Sequence, residues 1–130
     1  MEIISYFLWF KLVLLIQQFK KVVINSGEVI PQYFFEKFNN LELIVFKEGV
    51  KEIKAYSLFG KEGLSVILPK SIENIRPFSL NNVNFFYEGS EEQWENVTKG
   101  YSSNVTVYYY NQNNNGDNNW HYDEDGNIIK

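Results

Sequence analysis

The sequence predicts a single solenoid of the α/β class, in which short parallel strands stack one coil upon the next. Three observations carry that prediction. Isoleucine recurs at Ile30, Ile53 and Ile75, at intervals of 23 and 22 positions. Each is followed three residues later by an aromatic (Tyr33, Tyr56, Phe78) and five residues later by an apolar residue (Phe35, Leu58, Leu80). Each unit then enters a stretch of alternating polarity, the period-two signature of a pleated strand.

The chain opens with "MEIISYFLWFKLVLLIQQ", residues 1–18, an apolar segment. Glu2 stands where a secretory signal carries positive charge, Lys11 interrupts the run, and no small-x-small cleavage site precedes Gln17 and Gln18. A membrane-spanning helix needs about 20 consecutive apolar residues, more than the uninterrupted run here. Leu8, Leu12, Leu15 and Phe19 share one helical face, so a buried helix and a partial repeat are both open readings, with a signal or anchor as the alternative.

The repeats follow over residues 19–87. In "FKKVVI" the pleat turns Phe19, Val22 and Ile24 inward and Lys21 and Val23 outward. In "LELIVF" it separates Leu41, Ile44 and Phe46 from Leu43 and Val45, and in "LSVILP" it turns Val66 and Leu68 inward and Ser65 and Ile67 outward, with Pro69 closing the strand. The last unit is shortened between Leu80 and Val83. One such coil cannot bury enough apolar surface to offset its own ordering, so neighbours must cover its two flat sides.

Residues 88–110 should close the stack with a helix and a strand. Ser90 and Gln93 have capping-box spacing, and Glu91 and Glu92 lie where the helix dipole favours negative charge. Trp94 and Val97 share the side that would cover the last coil, and "NVTVYYY" adds a strand with Val105 and Val107 on one face. Beyond it, "NQNNNGDNN" is a polar spacer. In "WHYDEDGNIIK", Asp125-Gly126 is a hairpin signal, although two isolated strands are marginal in water, so residues 111–130 are expected to form a flexible tail.

The composition narrows the chemistry. With 12 basic and 16 acidic residues, a formal charge of −4 and no basic run, the chain does not look like a nucleic-acid binder. Cysteine is absent, which removes disulfides and thiolate chemistry. His121 is the only histidine and has no partner by spacing, Asp123, Glu124 and Asp125 lack the ligand order of a calcium loop, and no glycine-rich phosphate loop appears. No catalytic residue, metal site, cofactor or small-molecule substrate is therefore predicted. What remains is a surface. Outward strand positions align in two columns, Val23, Val45, Ile67 and Phe86 beside Lys21, Leu43, Ser65 and Asn84. The candidate binding residues are Val23, Leu43, Val45, Ser65, Ile67, Asn84 and Phe86, against the plainer reading that β-branched residues favour any parallel strand.

The spacing I-x-x-[YF]-x-[FL]-x-x-x-x-x-L-x-x-[IV]-x-[LF]-P resembles the BspA-like leucine-rich repeat of bacterial surface proteins. Ile53, Leu58, Gly60, Leu64, Leu68 and Pro69 match it, whereas Phe38 and Lys61 stand at its usual Cys and Ser57 and Ser79 at its Ala. The resemblance covers Phe19 to about Tyr110, and the "WHY" near the terminus is also similar to tails of that family. It implies a right-handed leucine-rich-repeat solenoid, the C-terminal part of an array with its cap. It further implies a secreted or cell-surface protein that binds a protein ligand, an extracellular host protein in an adhesion role. The competing expectation is a structural spacer or stump of a longer array, self-associating through the N-terminal edge.

Overall fold

A computed structural model of the chain describes residues 14–76, 80–101, 104–113 and 116–130. Most of the apolar segment 1–18, along with Phe78 and Ser79, lies outside the described residues.

The alternation read from the sequence becomes a wall of strands. β1 (Lys21–Ile24), β3 (Leu43–Phe46), β5 (Ser65–Leu68), β7 (Val83–Tyr87) and β9 (Val105–Tyr110) stack in parallel. The recurring isoleucines form a second wall of two-residue strands: β2 (Val29–Ile30), β4 (Glu52–Ile53), β6 (Asn74–Ile75) and β8 (Thr98–Lys99). Ile30 lies opposite Ile53, and Ile53 opposite Ile75, so the three line up along the stack as the repeat demands. The result is a β-solenoid of about four turns.

Between the walls runs one apolar core. Ile44, Phe46, Val66, Leu68, Phe85 and Tyr87 enter it from the long strands, Ile30, Ile53 and Ile75 from the short ones, and Phe35, Leu58 and Leu80 from the turns between. Burying each such aliphatic or aromatic side chain contributes roughly 1.5–3 kcal/mol, which is how coils without disulfides hold together. The inward set read from the sequence is observed except at Phe19, which is 48% exposed.

The connections are turns rather than helices, so the α/β expectation overstates the helical content. Tyr33 and Tyr56 occupy the same place in successive coils, both in the left-handed region at φ 57° and 58°. Their rings stack at 5.6 Å, and Phe59 meets each edge-on, so a ladder of ring contacts runs along the turns and offsets the backbone strain of about 1–2 kcal/mol per residue.

The helix start at Ser90 is realised in α1 (Glu91–Trp94). The Ser90 hydroxyl accepts from the Gln93 amide, and the Gln93 side chain accepts from the Ser90 amide. Trp94 and Val97 enter the core, and the Lys99 ammonium donates to the carbonyls of Trp94 at 2.7 Å and Val97 at 2.8 Å. The Trp94 carbonyl also accepts from the Val97 amide at 3.0 Å, so the ammonium adds to the pairing that closes this short helix.

The tail departs from expectation. β10 (Asn119–Tyr122) pairs in parallel with β9, and β11 (Ile128–Ile129) turns back antiparallel to it. The Asp125-Gly126 signal is the turn, with Gly126 at φ 83°. The Asp123 carboxylate seals it, accepting from the amides of Asp125 at 2.9 Å and Asn127 at 2.7 Å and from the Asn127 side chain at 3.1 Å. These bonds, led by the Asn127 amide, hold the Asp123 pKa below its ordinary value. No described helix is long and apolar enough to cross a membrane.

A candidate interaction groove between sheet and hairpin

Both outward columns form as read from the sequence. Val23 lies opposite Val45, Val45 opposite Ile67 and Ile67 opposite Phe86, while Lys21, Leu43, Ser65 and Asn84 align beside them. Solvent does not reach the first column as expected. Val23 is 45% exposed, but Val45, Ile67 and Phe86 are 6%, 3% and 1% exposed. Their cover is the tail itself: the hairpin folds back across the outer face of the sheet, and Trp120 forms a second apolar cluster with these three residues, joined by Leu43, Tyr108, Tyr122 and Ile128.

The cover is held by specific geometry. Trp120 is fully buried, meets the Phe86 ring edge-on at 5.6 Å and donates its indole N–H to the Tyr87 carbonyl at 2.7 Å. Phe86 stacks on Tyr108 at 5.0 Å, and the Lys130 ammonium sits 5.1 Å from the Tyr108 ring centre. His121, between Trp120 and Tyr122, is half-buried, pairs with Ile129 and leaves its Nδ1 without a hydrogen-bond partner. It belongs to the hairpin and not to a mobile segment.

Where the hairpin ends, a groove of about 560 Å³ begins. Its floor is Val23, Leu43, Val45, Ser65 and Ile67; its wall is Tyr122, Gly126, Asn127 and Ile128; its rim carries Lys21, Glu42 and Lys47. Five of the seven residues singled out in the sequence thus meet in one concavity, and Asn84 and Phe86 do not line it. The wall was missed, although the apolar positions Trp120, Tyr122 and Ile128 beside an uncovered apolar column were a usable signal. The volume falls within the range of about 300–1,000 Å³ typical of ligand clefts. The groove joins an apolar floor to a rim of two ammonium groups and one carboxylate, and Glu42 is shared with Lys20 at 3.9 Å.

A second hollow of about 340 Å³ lies on the other side of β10, lined by Glu48, Lys70, Glu88, Tyr110 and Tyr122. The Tyr122 hydroxyl donates to Glu88 Oε2 at 3.5 Å. Burial pushes the Glu88 carboxyl above its ordinary value despite Lys47 nearby. Burial and the facing carboxylate push the Tyr122 phenol up to about 12. Among the described residues no group of three or more His, Cys, Asp or Glu side chains is placed to hold a metal ion.

Fold and site together define a β-solenoid whose outer sheet face is partly covered by its own C-terminal hairpin, leaving a groove at the first coils. No family model, curated protein or solved structure matches the chain.

Proposed function

We propose that the chain is a non-catalytic protein-recognition module that works through the groove beside the hairpin. One observation carries this: the apolar outward column stays open at Val23, beside half-buried Leu43 of the neighbouring column, and there adjoins a concave wall, so an apolar floor, a charged rim and a cleft coincide. Such a combination desolvates a partner's apolar side chain while the rim orients it. The motif spacing supports a finer reading, in which the coils are leucine-rich repeats of the BspA-like kind and α1 with β9 forms their C-terminal cap. On that reading the protein is secreted or surface-bound and binds an extracellular host protein.

The test is retention of immobilised extracellular matrix proteins by the full chain and by the double variant Val23→Asp, Leu43→Asp, with circular dichroism and thermal melting as folding controls. The expected result is a loss of affinity of about tenfold or more with an unchanged fold. Equal affinity of variant and parent would refute the groove as the site.

A second reading is a spacer or stump of a longer array. It draws on the first described coil, where Leu14, Leu15, Phe19 and Val29 are 45%, 54%, 48% and 44% exposed and where β1 and β2 are, among the described residues, the end strands of their sheets. Light scattering separates the two: concentration-dependent dimers abolished by Phe19→Lys favour the stump, and a monodisperse monomer counts against it.

A further inference from the structure

We infer that the groove takes an extended, acidic-flanked segment of a partner protein, which adds to the free edge of β11 and lays an aromatic or branched apolar side chain on Val23 and Leu43. The inference rests on the groove being the recognition site. Three observations on the molecule name the occupant's chemistry.

The first is continuity with a contact the protein already makes. Val45, Ile67 and Phe86 are covered by Trp120, Tyr122 and Ile128, and Val23 is the next member of the same column, in register and uncovered. What suits the covered part of an apolar column suits its open end: a strand presenting indole, phenol or branched aliphatic groups.

The second is the backbone. β11 closes the order of the seven-stranded sheet, so among the described residues no strand pairs with its outer side. Asn127 and Ile128 stand in the groove wall facing a floor that includes Leu43 and Ser65. The Asn127 amide and carbonyl are both engaged with Asp123, so an extended chain in the groove meets the outer side of β11 at Ile128, the setting in which partner strands add to sheets.

The third is charge. The chain is acidic overall at −4, yet the rim sets Lys21 and Lys47 against the single carboxylate of Glu42. A segment with acidic residues next to its apolar anchor complements that rim. The molecule's own tail has this order, with Trp120 and Tyr122 followed by Asp123, Glu124 and Asp125.

The probe is a synthetic heptapeptide copying residues 119–125, titrated into the full-length chain while backbone amide signals are followed by nuclear magnetic resonance. A second peptide is N-methylated at alternate amides, and a third has its three acids changed to amides. The expected result is movement of the Val23, Leu43 and Ile128 signals, weakened about tenfold by N-methylation and severalfold by loss of the acids, the latter difference vanishing at high salt. Equal binding of the N-methylated peptide, or absence of movement at Val23 and Leu43, would overturn strand addition. Movement centred on Trp120 and Phe86 would also overturn it, because the probe would then have displaced the hairpin. Concentration-dependent dimers of the full chain that Val23→Asp dissolves would make a second copy the occupant instead. If matrix-protein binding depends on Val23 and Leu43 while the peptides fail, the groove reading stands and this inference alone falls.

Discussion

Replacing Trp120 by alanine should detach the hairpin and leave the solenoid folded. The indole is fully buried. Removing roughly 200 Å² of aromatic surface at ~25 cal/mol per Å² gives a loss of about 5 kcal/mol, in the range of about 3–5 kcal/mol measured for large aromatic truncations. The lost indole donor also removes a buried hydrogen bond to the Tyr87 carbonyl, at about 1 kcal/mol. A ceiling applies, because once the hairpin has come off, truncating Trp120 has nothing further to remove. The main-chain pairing of β10 to β9 involves only two residue pairs, Asn119 with Tyr109 and Trp120 with Tyr110, so what remains to hold the hairpin is the smaller side-chain contacts of Tyr122, Ile128 and Lys130. Native-state amide exchange is the assay. The His121 and Ile129 amides should exchange about a thousandfold faster or reach the unprotected limit, whereas Val45, Val66 and Phe85 keep most of their protection. Binding of an apolar dye should rise as Val45, Ile67 and Phe86 become exposed. If the β3, β5 and β7 amides lose protection in step with the hairpin, tail and solenoid are one cooperative unit and the reasoning is refuted.

Ile53→Ala, in the middle of the isoleucine ladder and fully buried, should cost about 2–5 kcal/mol and lower the denaturation midpoint of the whole solenoid, in contrast with Trp120→Ala. Gly126→Ala forces a Cβ into a turn at φ 83° and should weaken hairpin docking by about 1 kcal/mol, read from exchange at Ile129. Glu88 has a folded-state pKa above its ordinary 4.5, so the folded chain holds this proton to higher pH than the unfolded chain does. Its ionisation therefore subtracts stability as pH rises from 4.5 through the raised value. Glu88→Gln, which still offers Tyr122 an acceptor, should raise the urea midpoint at neutral pH and leave it nearly unchanged well below 4.5; an equal gain at both would show that the carboxylate's charge is not the cause.

The repeat was legible because it is written in the chain as spacing. Ile30, Ile53 and Ile75 give the period, and the pleat then forces Ile44, Phe46, Val66 and Leu68 inward and Val45 and Ile67 outward, with no freedom to slip without exposing the core. The capping box at Ser90 was equally local. Two things were not. The two-residue strands of the second wall carry too few positions for any alternation, so Ile30 and Ile53 read as the starts of loops. The tail's fate depended on long-range complementarity: nothing near Trp120 in sequence says that its partners are Phe86, Ile67 and Val45. The apolar outward column was recognised, but its occupant was sought in another molecule while most of it was met by the chain's own end.

The place of the groove follows from a mismatch between two lengths. A strand advances ~3.3 Å per residue, so the four residues of β10 reach about 13 Å, while neighbouring strands of the sheet lie ~4.8 Å apart. A hairpin that starts beside β9 and crosses β7 and β5 therefore ends over β3, three spacings and about 14 Å away, and stops short of β1. Val45, Ile67 and Phe86 fall under it, and Val23 on β1 does not. The turn at Gly126 then faces Lys21 and Val23 across open space and supplies the far wall of the cleft. The number of coils set against the length of the hairpin thus decides that a face which could have been wholly covered or wholly open is instead divided, with an apolar floor left at one end.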